Sequence, residues 1–292
     1  MILIPQRLFD DERVTTILRD GNVCILRKML TAPIVNREGY ISNHVISVLL
    51  DGQQHIRTYD GNLTTVHAGE IVFVPRGVYY ISDLLPKDGV FKSILFYFDD
   101  QIISEFLSTT KVTEISREHV PDHLKFGTVP VVQQFAESLV SIYHDNNLRN
   151  KNVLELKILE LLNLLSGLAP EQDFVNFLFR LTLPRKRNIK SFMEKNYDKP
   201  LKVEDYAYLT GRSISSFRRD FKAYFDITPQ KWLKEKRLEK AINMLTKKEM
   251  SVTELALETG YENISYFIKA FKEKYGLSPK QYILNLHRNQ VQ

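Results

Sequence analysis

The sequence predicts an α+β fold in two domains, a small antiparallel barrel or sandwich followed by a wholly helical part. Three observations predict it. The apolar period changes from two to about 3.6 near residue 130, the charge changes sign near residue 170, and the last hundred or so residues contain a repeat. With 292 residues, 43% apolar and 26% charged, the chain is long enough for two ordinary cores. No apolar run approaches the ~18 residues that span a bilayer, and the opening Met1-Ile2-Leu3-Ile4 stops at Pro5 and meets Arg7 and Asp10-Asp11-Glu12. Cys24 is the single cysteine. It permits neither an internal disulfide nor a cysteine-rich metal site, so a reducing cytoplasm is the expected home.

From about residue 20 to 100, β-branched and aromatic runs read as strands: Val45-Ile46-Ser47-Val48-Leu49-Leu50, His55-Ile56-Arg57-Thr58-Tyr59, Ile71-Val72-Phe73-Val74, and residues 91–98. Asp51-Gly52, Asp60-Gly61, Ala68-Gly69 and Arg76-Gly77 punctuate them as turns. Residues 131–143 and 153–165 then read as helices, the second with Leu154, Ile158, Leu161 and Leu165 on one stripe. Further leucines flank that stripe, so the helix packs on the strands, forms a subunit interface, or does both. Leu181-Thr182-Leu183-Pro184-Arg185-Lys186-Arg187 joins a helix breaker to a basic cluster and is the candidate linker, its cations either solvated or on phosphate.

The net charge of +5 is unevenly spread. Residues 1–169 hold 16 Lys and Arg against 20 Asp and Glu, whereas residues 170–292 hold 24 against 15. A domain that basic suits a polyanionic partner, although many solvated helical surfaces carry similar charge without binding anything.

The repeat favours the polyanionic partner. Asp205-Tyr206-Ala207 and Leu209-Thr210-Gly211 recur as Glu254-Leu255-Ala256 and Glu258-Thr259-Gly260, 49 residues on. Phe217, Phe221-Lys222, Phe225 and Thr228-Pro229 recur, now 50 on, as Phe267, Phe271-Lys272, Tyr275 and Ser278-Pro279. Each copy has a short helix with a small residue at its crossing point, a glycine able to take positive φ, and a second helix, the parts of a helix-turn-helix. Ser251-Val252-Thr253-Glu254 is a capping box, Ser213 and Asn263 are N-caps for the second helices, and Lys202 is a poor cap for the first. The phenylalanines four apart are the buried face. Between the copies a helix over 229–246 would be about 27 Å long. A rod of that order can present both second helices to successive major-groove turns, which recur about every 34 Å.

On these residues, and above all Ser251 through Tyr282, the region from about 188 to 286 is identified as a member of the AraC/XylS family of bacterial transcription regulators. The resemblance implies two helix-turn-helix units, each inserting its second helix in a major groove of double-stranded DNA. Carried over residue by residue, the DNA-facing positions are Ser215, Arg218, Arg219 and Lys222 in the first unit, and Ile264, Ser265, Ile268, Lys269 and Lys272 in the second. Arginine can bond guanine O6 and N7 bidentately, whereas the two isoleucines can only touch thymine methyls or turn toward the core. The first unit is therefore expected to discriminate and the second to anchor.

The N-terminal part resembles the family's cupin-like sensor domains through Gly69-Glu70-Ile71-Val72-Phe73-Val74-Pro75-Arg76-Gly77-Val78-Tyr79-Tyr80. Tyr80 stands where a metal-binding cupin has histidine, and His44 and His55 are eleven apart with no His-x-His, so no metal, cofactor or catalytic residue is expected. His67 reads as a turn residue. The domains expected are a sensor and dimerisation domain over 1–180 (barrel about 20–100, helices about 130–168), a linker over 181–187, and the DNA-binding domain over 188–286. Within the family the arrangement is slightly similar to activators of type III secretion genes, whose sensor half is bound by a regulatory protein. The commoner family behaviour is a small effector in the barrel, for which Tyr79, Tyr80, Phe96 and Tyr97 are the candidate lining. The resemblance further implies a homodimer, recruitment of RNA polymerase, activation rather than repression, and a bacterial, nucleoid-associated location.

Overall fold

The strand-forming runs of the N-terminal half build β1 (Ile2–Ile4), β2 (Val14–Asp20), β3 (Val23–Leu30), β4 (Ile34–Ile41), β5 (His44–Asp51), β6 (Gln53–Thr58), β7 (Leu63–His67), β8 (Ile71–Val74), β9 (Gly77–Leu84), β10 (Phe91–Phe98) and β11 (Leu124–Phe126). The computed structural model describes residues 1–58, 61–87, 89–110, 123–143, 151–168, 171–183, 186–246 and 250–290. Tyr59, Asp60, Pro184 and Arg185, used in the strand, turn and linker readings, lie outside these, as do residues 144–150. The chain divides into two compact units, Met1–Leu183 and Pro184–Gln292.

The expected barrel is corrected to two stacked sheets. One has the order β1-β4-β9-β6-β7 and the other β11-β8-β5-β10-β3-β2, so neither closes on itself, and the strands begin before residue 20 and end after 100. The chain passes between sheets at tight points such as Gly52, whose φ of 91° is left-handed and whose missing Cβ would lie 2.6 Å from the Leu84 carbonyl. Side-chain alternation then divides β10 between two cores. Leu95 and Tyr97 face the other sheet with Leu26, Val45, Ile56 and Val74. Ile94, Phe96 and Phe98 face the helices. Burial on both faces explains why β5 and β10 read as near-continuous apolar runs.

Four helices cover the outer face: α1 (Asp100–Thr109), α2 (Pro130–Ile142), α3 (Lys151–Ser166) and α4 (Glu171–Leu181). The sequence reading anticipated α2 and α3 but not α1 or α4. The side chain of Asp99 accepts from the N–H groups of Gln101 and Ile102 to start α1. The spacing of Phe174, Phe177, Leu178 and Leu181 was the legible signal for α4, whose Phe177 meets Phe73 edge-on at 5.1 Å.

The C-terminal unit holds α5 (Ile189–Asn196), α6 (Val203–Leu209), α7 (Ile214–Phe225), α8 (Pro229–Leu245), α9 (Val252–Glu258), α10 (Ile264–Tyr275) and α11 (Pro279–Gln290). The repeat persists atom by atom. Thr210 and Thr259 are buried, and their hydroxyls bond the carbonyls of Tyr206 (2.8 Å) and Leu255 (2.7 Å). Gly211 and Gly260 take positive φ in the turns, and Asp226 and Gly276 do so after α7 and α10. Trp232 on α8 packs on Phe221 at 5.7 Å, and Tyr282, its counterpart on α11, packs on Phe271 at 5.7 Å. Lys202 indeed offers no capping oxygen; the Asp205 carboxylate instead accepts from the Lys202 N–H at 2.9 Å.

Candidate nucleic-acid interface

A helix presents a repeating face when its buried anchors recur every three or four residues, and Phe217/Phe221 and Phe267/Phe271 do this in α7 and α10. The first turn of each is fixed by its cap: the side chain of Ser213 accepts from the Ser216 N–H, and that of Asn263 from the Tyr266 N–H. On α7 this leaves Ser215, Arg218, Arg219 and Lys222 exposed; on α10 it leaves Ser265, Ile268, Lys269 and Lys272 exposed. Ile264 is separated from that row. It is partly buried against Leu255, Phe267 and their neighbours, and its counterpart Ile214 is likewise half-buried. Ile268 is 37% exposed and stays on the outer face.

The matching slots carry matching chemistry at three places, Ser215 with Ser265, Arg219 with Lys269, and Lys222 with Lys272, and differ where Arg218 faces Ile268. Among the described residues no ion pair or hydrogen bond engages the side chains of Arg218, Lys222 or Lys272, which suits them to an external anion. Glu273 is engaged by Lys234 of α8 at 2.7 Å, and that hydrogen bond, helped by the nearby Lys269, holds its carboxyl below the usual range. Tyr266 is also exposed in the first turn of α10.

α8 holds the two helix-turn-helix repeats together. Arg237 donates to the carbonyls of Tyr197 (2.8 Å), Lys199 (2.6 Å) and Leu201 (3.2 Å) after α5. Lys240 pairs with Asp198 at 2.6 Å and donates to the Glu258 carbonyl at 2.8 Å. One turn of α8 thereby ties the loop after α5 to the turn after α9. Its 17 residues span about 26 Å.

In the N-terminal unit a cavity of about 50 Å³ lies between the sheets, walled by aliphatic side chains from β1, β4, β5, β6, β8, β9 and β10. Lys28, Asp83, Gln54 and Ser47 also line it. Lys28 pairs with Asp83, and Gln54 donates to Asp83 at 2.7 Å. The Gln54 carbonyl oxygen and the Ser47 hydroxyl are buried with no hydrogen-bond partner among the described residues. Of the four aromatic candidates only Tyr97 lines this cavity. Tyr79 is in the same core but beside Gly77. Phe96 points to the opposite face of β10, against Phe135. Tyr80 alternates outward, under the Arg57 guanidinium at 4.4 Å. His44 is structural: its Nδ1 accepts from the Arg76 N–H at 3.2 Å, so Nε2 carries the proton and donates to Asp100 at 2.9 Å. Among the described residues no three His, Cys, Asp or Glu converge as metal ligands.

The family described as ExsA N-terminal regulatory domain matches residues 44–177, and that described as helix-turn-helix domain matches residues 206–285. The chain is 25% identical to the HTH-type transcriptional regulator ExsA of Pseudomonas aeruginosa, over 81% of this chain and 84% of that one. It is 26% identical to the virulence regulon transcriptional activator VirF of Yersinia enterocolitica, over 80% and 86%. Among solved structures, unsaturated fatty acid-bound ToxT of Vibrio cholerae aligns over 91% of this chain and 97% of its own, at 12% identity and a TM-score of 0.41. Among the described residues no helix is long and apolar enough to cross a membrane.

Proposed function

The chain belongs to the AraC/XylS family of transcription regulators, and on that premise we propose that α7 and α10 read one duplex and that the protein activates transcription under control of its N-terminal unit. The observation that carries the DNA reading is the pair of exposed, cap-fixed helix faces bearing cations at the same repeat positions. Arg218 and Arg219 make the base-specific contacts; Lys222, Lys269 and Lys272 meet phosphate, with Ser215, Ser265 and Ile268 beside them and Ile264 supporting from the core. The regulator acts in the bacterial cytoplasm at the nucleoid and works by recruiting RNA polymerase. The domains are a sensor and dimerisation domain over 1–180, a linker over 181–187 and the reader over 188–286.

The test is binding to randomised duplexes at several salt concentrations. Arg218→Ala and Arg219→Ala each weaken preference at particular base pairs by about 1–3 kcal/mol. Lys222→Ala and Lys272→Ala weaken all sequences alike and reduce the salt slope by about one each. If Lys269→Ala changes base preference while both arginine variants leave it intact, the division of labour is wrong.

Control enters through the N-terminal unit by a small effector or a regulatory protein. The inter-sheet cavity favours the small effector, because Lys28, Asp83, Gln54 and Ser47 put polar side chains among its aliphatic walls. Its volume suits a small polar group rather than a whole large ligand. The working form is a homodimer through the helices, where Val131, Ile142 and Leu156 are exposed, Leu156 to 63%. Leu156→Glu should shift the full-length protein from dimer to monomer in sedimentation; an unchanged dimer would remove α3 from the interface.

A further inference from the structure

Asp220 lies on the flank of α7, and its two carboxylate oxygens are divided between two arginines. Oδ2 accepts from Arg212 Nε at 3.1 Å, and Oδ1 accepts from Arg219 Nε and Nη2, both at 3.3 Å. Arg212 is itself anchored: its Nη1 donates to the carbonyls of Thr210 at 2.7 Å and Arg187 at 2.9 Å. The Arg212 side chain is 12% exposed and that of Arg219 77%, so the carboxylate links a fixed guanidinium to a solvated one. The hydrogen bond from Arg212, and after it that from Arg219, holds the Asp220 carboxyl below its usual range, which keeps it charged at neutral pH.

The internal repeat supplies the comparison that separates function from folding. At the slots of Arg212 and Asp220 the second unit has Tyr261 and Ala270, both buried. A helix-turn-helix of this design therefore closes with apolar packing at these two places, and the fold does not demand a carboxylate there. An acidic group on a helix that approaches phosphate also carries an electrostatic cost. What it gives in return is a restricted guanidinium: a free arginine side chain has many rotamers, and fixing it beforehand reduces the entropy lost on making a bidentate contact.

We propose that Arg212 and Asp220 are positioning residues for Arg219, setting the place of its guanidinium on α7 so that base choice at the Arg219 contact depends on a carboxylate that does not touch DNA. The proposal rests on the reading of Arg219 as a base-contacting residue. It also assigns the two units different recognition physics, a preset arginine in the first and an unbraced Lys269 in the second.

The experiment is selection of randomised duplexes by the full-length protein, with the thermal unfolding of every variant measured in parallel. Arg219→Ala identifies the dependent base pair. Asp220→Asn is expected to lower preference at that base pair by about ten-fold, to leave the Arg218-dependent positions unchanged, and to add nothing in the Arg219→Ala background. Asp220→Glu should restore part of the preference. Arg212→Tyr with Asp220→Ala imports the second unit's residues; it should retain the unfolding temperature and still lose the Arg219 preference. The proposal is overturned if Asp220→Asn leaves that preference intact, if it raises affinity for all sequences equally through lost repulsion, or if the imported pair retains full discrimination. A different result, Arg219→Ala changing no base preference in the presence of Asp220, overturns the reading of Arg219 itself.

Discussion

Gly260→Ala destabilises the C-terminal unit by roughly 3 kcal/mol or more and removes DNA binding, while Gly276→Ala costs only about 1 kcal/mol. Both glycines hold left-handed φ, 84° and 79°, so both substitutions carry the conformational penalty of a Cβ in that region. They differ in what the new methyl meets. At Gly276 there is nothing within 4 Å, whereas at Gly260 the Cβ would lie 2.7 Å from the Asp198 carbonyl oxygen, 2.9 Å from its carbon and 3.0 Å from the Lys199 oxygen. These are backbone atoms, and they cannot give way cheaply. Arg237 holds the carbonyls on both sides of Asp198, and Lys240 holds its carboxylate. The strain therefore falls on the junction that fixes the second helix-turn-helix against the first. Urea unfolding followed by circular dichroism, with DNA binding measured alongside, checks it. Equal costs at the two glycines would show that the close approach to residues 198–199 contributes nothing.

The same junction shows where the sequence was informative. Gly260 was legible as a turn glycine because Thr210-Gly211 and Thr259-Gly260 align, and the caps Ser213, Ser251 and Asn263 follow from residue type and spacing alone. That the loop after α5 packs on Gly260 was not legible, since it depends on Arg237 and Lys240 reaching back some forty residues from one turn of α8. The exposed rows of α7 and α10 followed from the phenylalanine period, but the pairing of Asp220 with Arg212 and Arg219 did not: adjacent Arg-Arg-Asp reads as any solvated helix face. In the N-terminal unit β5, β6, β8 and β10 were visible, whereas β1 to β4, β7, β9 and β11 were not named and the sheet order was not legible. Sheet switching at Gly52 and the open edges at β1, β7, β11 and β2 are properties of register. Register also decides that Tyr97 faces the cavity while its neighbour Phe96 faces the helices.

That register places one ion pair across the interior of the N-terminal unit, and Lys28→Ala should cost about 3–5 kcal/mol there, with a fall in the unfolding temperature on the order of 10 °C. Lys28 is on β3 and Asp83 on β9, so the pair bridges the two sheets. Asp83 is fully buried, and Gln54 supplies one neutral hydrogen bond to it at 2.7 Å, with the Arg13 cation acting only through space. Removing the ammonium strands a carboxylate in an aliphatic surround, whose loss of hydration one amide donor does not replace. The pair as a whole need not stabilise the fold. Replacing both partners, Lys28→Met with Asp83→Leu, should return stability to near or above the original value, because neither charge then needs compensation. The two results together distinguish a structural clamp from a retained polar site. A clamp predicts that the double variant is as unstable as the single one. If instead the double variant is stable and binds DNA with unchanged affinity, the charges and the partnerless Ser47 and Gln54 atoms beside them are kept for something other than folding, and loss of effector response in that same variant would locate the effector between the sheets.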